Sequence, residues 1–251
     1  MSIARTDNST LGRWWWTVDR WTLLALMVLA TIGVVLAMAA SPPVAERIGL
    51  DSLHFVSRQA TYLPIALLVM ICVSLLSPVG ARRLATIVFL GAVLMLVATL
   101  MVGTEIKGAR RWVNIAGFSL QPSEFVKPAL AVVCAWMFAA SRLGEDIPGN
   151  RIAFILFALV AGLLLLQPDV GQALVVSVVW FSQWFLAGLP MIWVAVTIGI
   201  GIAGLTAAYF IFPHVASRID RFIDPASGDS YQVDRAMEAF MNGGMWGRGP
   251  G

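Results

Sequence analysis

Seven apolar runs, 22–41, 60–78, 84–103, 122–140, 152–168, 171–189 and 191–212, constrain this chain more than anything else in it. About 20 mostly apolar residues in a helix cross the hydrocarbon core of a bilayer. The expected fold class is therefore an all-α polytopic membrane protein with about seven transmembrane helices. Composition points the same way: 59% of the 251 residues are hydrophobic, 12% are charged, and the mean hydropathy is +0.83. Soluble domains carry about a quarter charged residues, so this chain has too little polar surface to coat a globule in water. Pro42-Pro43, Pro78, Pro122, Pro190 and Pro213 sit at or near the ends of the runs. There a residue without a backbone donor costs a helix least.

The arginines set an orientation. Arg5, Arg13 and Arg20 in a tail over 1–21, Arg82-Arg83 in the 79–83 turn, and Arg142 with Arg151 in the 141–151 loop share one side if the runs alternate. The positive-inside rule makes that side cytoplasmic. The chain then divides into a cytoplasmic tail (1–21), seven spans with short loops (22–212), and the start of a large extracytoplasmic loop (213–251). Two outer segments oppose the bias, one with Lys107, Arg110 and Arg111, the other with Arg218, Arg221, Arg235 and Arg248. An anionic ligand or salt bridges to Asp220, Asp224 and Glu238 would each account for them. The first run is too long for the apolar region of a cleavable signal peptide. Trp14-Trp15-Trp16 before it suits the headgroup level. The net charge of +3 is scattered along the chain, which argues against nucleic acid as a partner. Cys72 and Cys134 lie within apolar runs and read as packing residues.

Ionisable groups inside spans are functional candidates by default. Glu124 and Lys127 open the fourth run at a spacing of i and i+3, so they share a helix face and can pair. Such a pair could tie helices together or form the polar floor of an outward-facing cavity. Gln167-Pro168-Asp169-Val170-Gly171-Gln172 sets an acid between two amides at a junction of runs. It reads as a tight turn or as a ligand-lining element. The 213–251 segment is polar and ends in Gly243-Gly244-Met245-Trp246-Gly247-Arg248-Gly249-Pro250-Gly251, which lacks the lysine and strand context of a phosphate-binding loop. His54 and His214 are far apart in sequence and read as interfacial rather than as metal ligands.

Four blocks in this order resemble the SEDS family (shape, elongation, division and sporulation) of bacterial wall synthesis. They are Gly108-Ala109-Arg110-Arg111-Trp112-Val113-Asn114; Gln121-Pro122-Ser123-Glu124-Phe125 with Lys127; Gln167 to Leu174; and Asp224-Pro225, Tyr231-Gln232 with the final glycine-rich run. The polar N-terminus and the Asp229-Ser230-Tyr231-Gln232-Val233-Asp234-Arg235 run look more like the division members than the elongation members.

The resemblance implies ten transmembrane helices and polymerisation of lipid II into peptidoglycan glycan strands on the outer face of the inner membrane. It also implies work at the division septum beside a class B penicillin-binding transpeptidase, other division proteins and membrane lipid. An aspartate in the large outer loop would activate the sugar 4-hydroxyl. Asp229 is the first choice for that base and Asp224 the second. Arg110, Arg111 and Lys127 match basic family positions that would neutralise diphosphate. Glu124 and Asp169 match acidic positions lining the cavity, and Gln121 and Ser123 belong to the same substrate-facing set. A divalent cation such as Mg2+ on the diphosphate suits this chemistry, although no ligand set is legible. The family pattern has three further helices beyond Gly251, so the chain reads as C-terminally truncated and not competent alone. A lipid II transporter and a non-catalytic division scaffold are the competing functions.

Overall fold

A computed structural model describes residues 9–106, 109–115, 118–224, 231–244 and Gly247. Asp229 lies outside the described residues. The chain forms two compact units, Met1–Ser77 with Tyr231–Gly251, and Pro78–Ser230.

In the first unit, a short helix α1 (Thr10–Thr17) precedes the long helices α2 (Arg20–Arg47) and α3 (His54–Ser74), with α10 (Tyr231–Gly243) later in sequence. Ser9 caps α1 by accepting from the Gly12 amide, and Asp19 caps α2 by accepting from the Trp21 amide at 3.0 Å. Each cap satisfies a backbone donor that the first helical turn leaves open. The Trp14 indole donates to the Ser74 hydroxyl at 2.9 Å, tying α1 to the end of α3. The Arg20 guanidinium stands 5.2 and 5.1 Å from the Trp15 and Trp16 ring centres. Cation and indoles meet there in the manner of an interfacial belt.

The second unit contains α4 (Pro78–Val102), strands β1 (Thr104–Ile106), β2 (Ala109–Ile115) and β3 (Phe118–Leu120), then α5 (Pro122–Arg142), α6 (Gly149–Leu166), α7 (Val170–Leu186), α8 (Met191–Ile211) and α9 (Pro213–Ile223). Helix α5 is the centre of its core. Half of its apolar window is buried, against none in α2 or α3. Leu130, Val133, Met137 and Phe138 pack against Phe89 and Leu96 of α4, Val160 and Leu164 of α6, and Val176 and Trp180 of α7. Trp180 stacks on Phe157 at 4.6 Å and donates its indole N–H to the Ala153 carbonyl at 3.1 Å, so the largest core side chain has its polar atom satisfied. Close helix approach rests on small residues. A Cβ on Gly149 would fall 2.0 Å from the Met137 carbonyl oxygen, leaving no room for any other residue.

All seven apolar runs fall on helices. Six are long and apolar enough to span a bilayer, and the 17-residue α7 is shorter. The chain is thus a multi-pass membrane protein, predominantly helical. Several boundaries and two segments differ from the sequence reading. Helix α2 continues past Pro42-Pro43 to Arg47, and α3 begins at His54 rather than near 60. Hydropathy marks the limit of hydrocarbon, whereas helical hydrogen bonding runs on into the polar layer. The 104–121 segment, read as a loop, is a three-stranded antiparallel meander with Val113 paired to Leu120 and Asn114 to Ser119. Among the described residues of the polar 213–251 segment are two helices, α9 and α10.

Candidate functional site

Strand β2 places its two arginines differently because successive side chains leave a strand on opposite faces. Arg110 is exposed; Arg111 is half-buried and turns toward the α6–α7 junction. Its Nε lies 3.3 Å from the Asp169 Oδ2, and its Nη2 donates to the Pro168 carbonyl at 3.5 Å. Asp169 is only 3% exposed. The Arg111–Asp169 contact is Coulombic, since the facing atoms fall short of hydrogen-bond geometry. The other Asp169 oxygen accepts from the Gln172 amide at 3.4 Å and so caps α7. One carboxylate therefore starts a helix and neutralises an arginine.

The first turns of α5 supply the second polar group. Lys127 Nζ stands 2.7 Å from Glu124 Oε2, as their spacing predicts. The other Glu124 oxygen accepts from the Gln172 side-chain amide at 2.9 Å, which joins α5 to α7. Gln121 donates to the Ser123 hydroxyl at 3.1 Å, and Ser123 is buried. Gln167 sits just before the α6–α7 junction, 2% exposed, and donates to the Leu96 carbonyl of α4 at 3.0 Å.

Most of the sequence-predicted residues therefore converge. Arg111 and Asp169 form one pair, Glu124 and Lys127 another, and Gln172 links the two by bonding Asp169 through its backbone and Glu124 through its side chain. Gln121 and Ser123 share the same α5 terminus. Arg110 lies on the opposite strand face. Asp224 is exposed at the end of α9, where its own amide donates to the Asp220 carbonyl.

His214 was not legible as part of this group. It occupies the first turn of α9, which returns after α8 to the same end of the unit. Burial, then the positive charges of Arg111 and Arg218, push its imidazole below the ordinary range, while Asp169 pulls it upward. Sequence separation hid this proximity; the only available signal was Pro213, which starts a new helix beside it. Among the described residues no three His, Cys, Asp or Glu side chains converge, so they offer no ligand set for a metal ion. The arrangement presents two cations, each with its own carboxylate, at one end of an apolar bundle. Such cations can hold a polyanionic group against the membrane surface.

A family described as "Cell cycle protein", FtsW/RodA/SpoVE, matches residues 20–251. The chain is 45% identical over its full length to a probable peptidoglycan glycosyltransferase FtsW of Caulobacter vibrioides, covering 64% of that protein. It is 30% identical over 93% of its length to the Escherichia coli protein of the same name, covering 58% of it. It thus spans about three fifths of the length of these curated relatives. Among solved structures, the Thermus thermophilus rod-shape-determining protein RodA matches 76% of this chain with 60% of its own (TM-score 0.60, 32% identity). A peptidoglycan synthase complex, described as coordinating polymerization and crosslinking, matches 92% of this chain with 67% of its own (TM-score 0.67, 30% identity).

Proposed function

The chain belongs to the FtsW/RodA/SpoVE family of cell cycle proteins, and from that premise we propose that the whole protein is a peptidoglycan glycosyltransferase. It polymerises lipid II into glycan strands at the outer face of the inner membrane, during division, beside a class B penicillin-binding transpeptidase. Support for such a partner comes from the similarity to a synthase complex that joins polymerization to crosslinking.

One observation carries the chemical reading: the Arg111–Asp169 and Lys127–Glu124 pairs stand at one end of the bundle, joined through Gln172. In the proposed reaction the acceptor sugar's 4-hydroxyl attacks the donor's anomeric carbon, and the bond to undecaprenyl diphosphate breaks. Charge grows on the departing diphosphate, and preorganised cations stabilise it most where water is scarce. Lys127 and Arg111 are the cations assigned to it. Asp229 takes the hydroxyl proton in this proposal, with Asp224 as the second choice. A divalent cation such as Mg2+ on the substrate's own diphosphate is part of this proposal.

The test is polymerisation of lipid II by the full-length protein with its transpeptidase. Asp229→Ala should abolish it. Activity retained in Asp229→Ala but lost in Asp224→Ala moves the base to Asp224. Translocation of lipid II across vesicles without polymer would replace the enzyme reading with transport.

A further inference from the structure

Two clefts lie along the flank where α5 and α7 meet, and Gln183 lines both. The first is narrow, begins at Lys127 and is walled by Ala131, Val175 and Val179. The second is wider and runs from Gln183 past Ala135, Phe138 and Leu186 to Arg142. The Gln183 amide donates to the Ala131 carbonyl at 2.9 Å, which fixes this side chain as the partition between them.

At the Arg142 end the charge lies close against the backbone. The guanidinium lies over the turn between α7 and α8, at Gly188. A Cβ on Gly188 would meet Nη2 at 2.7 Å and Cζ at 3.1 Å, so the guanidinium rests directly against this glycine and any larger residue would displace it. Gly188 also has a φ of 92°, a conformation that side chains disfavour. Among the described residues no carboxylate lies within ion-pair distance of Arg142. The guanidinium thus offers several donors at the mouth of an apolar channel, on the side that the arginine bias assigns to the cytoplasm.

We propose that the second α5–α7 cleft binds an anionic phospholipid of the cytoplasmic leaflet, its phosphate on Arg142 and an acyl chain along Ala135, Phe138 and Leu186. Charge complementarity selects this occupant. A phosphodiester with a hydrocarbon tail matches both the guanidinium and the apolar walls, whereas a helix without an acid at that end would match the walls alone. Guanidinium and phosphate pair through two parallel hydrogen bonds. The site is separate from the Arg111–Lys127 cluster, which lies at the opposite end of α5, and it does not depend on the proposed transferase activity.

Native mass spectrometry of the full-length protein tests the proposal, with phosphatidylglycerol and phosphatidylcholine added in equal amounts. The wild-type protein should retain one phosphatidylglycerol in preference. Arg142→Gln should weaken that preference about fivefold, the worth of one interfacial cation. Arg142→Lys should keep most of it. Ala139→Trp, which fills the same cleft without touching the charge, should also lose it. Arg83→Gln, an exposed arginine outside the cleft, should leave it unchanged. An equal preference in wild type and Arg142→Gln overturns the proposal, as does an equal loss in Arg83→Gln and Arg142→Gln. Wild-type protein that retains no phosphatidylglycerol overturns it as well. Unfolding temperatures measured on the same samples separate loss of lipid from loss of fold.

Discussion

Arg111 with Asp169 and Lys127 with Glu124 stand at the same end of one helical unit and differ in what sets their strength. Lys127 and Glu124 are the closer, at 2.7 Å, but half of the Glu124 side chain is exposed. Water screens such a pair, and its net worth is about 0–1 kcal/mol. Arg111 and Asp169 are farther apart, at 3.3 Å, and the Asp169 side chain is 5% exposed. Breaking a buried pair strands a charge away from water, and that cost, not the distance, ranks the two. The difference bears on function. An arriving diphosphate can take Lys127 from Glu124 at little cost, because Glu124 keeps water and the Gln172 amide. It cannot take Arg111 without leaving Asp169 buried and uncompensated. Lys127 is thus the exchangeable cation of the proposed site, whereas Arg111 acts on the diphosphate while still paired with Asp169 and also holds the α6–α7 junction in shape.

The largest effect that would break this comparison is on stability. Arg111→Met should lower unfolding free energy in mixed micelles by about 3 kcal/mol, because it strands the Asp169 carboxylate away from water. Glu124→Ala, which opens the exposed pair, should cost under about 1 kcal/mol. Equal losses in the two variants would remove the distinction. Lys127→Met sharpens it from the other side: unfolding should change by less than about 1 kcal/mol, while lipid II polymerisation falls at least about tenfold, the loss of one charge-assisted contact. A Lys127→Met protein with normal polymerisation would take Lys127 out of the diphosphate site.

The same contrast explains what could be read from sequence. Glu124 and Lys127 are three residues apart, and helical periodicity alone puts them on one face. The spans are equally local, since each is a run whose hydropathy is its own evidence. Arg111 and Asp169 are far apart in the chain, and pairing them needs the 104–121 meander, whose strands have too few residues to alternate legibly. Nothing in the sequence distinguished Arg111 from Arg110 until strand pleating sent them to opposite faces. His214 is hidden for the same reason, as α7 and α8 intervene between it and Asp169. Gln167 was read as one amide flanking an acid. Its part as a buried donor to Leu96 of α4 depends on a helix contact that no local pattern encodes. Replacing it by Leu should cost about 1 kcal/mol, the usual net worth of one such hydrogen bond, and an unchanged unfolding midpoint would show that this bond contributes nothing.

The smallest effect is electrostatic and reads the buried pair without breaking the fold. His214 feels Arg111 as a repelling charge and Asp169 as an attracting one. Arg111→Gln should therefore raise the His214 pKa toward the ordinary imidazole range, yet not restore it, because burial is the largest cause of its depression. Asp169→Asn should move it the opposite way. The sign also fixes the pH dependence. A histidine with a depressed folded pKa favours the native state in its neutral form, so its contribution is complete above the ordinary imidazole pKa. That contribution is lost as pH falls from there through the depressed value. Histidine ring resonances followed by NMR in micelles give both pKa shifts, with His54→Gln assigning the two histidines. Opposite displacements place His214 in the field of the pair. Displacements of the same sign in both variants would mean that a local rearrangement, and not the charge of Arg111 and Asp169, sets its titration.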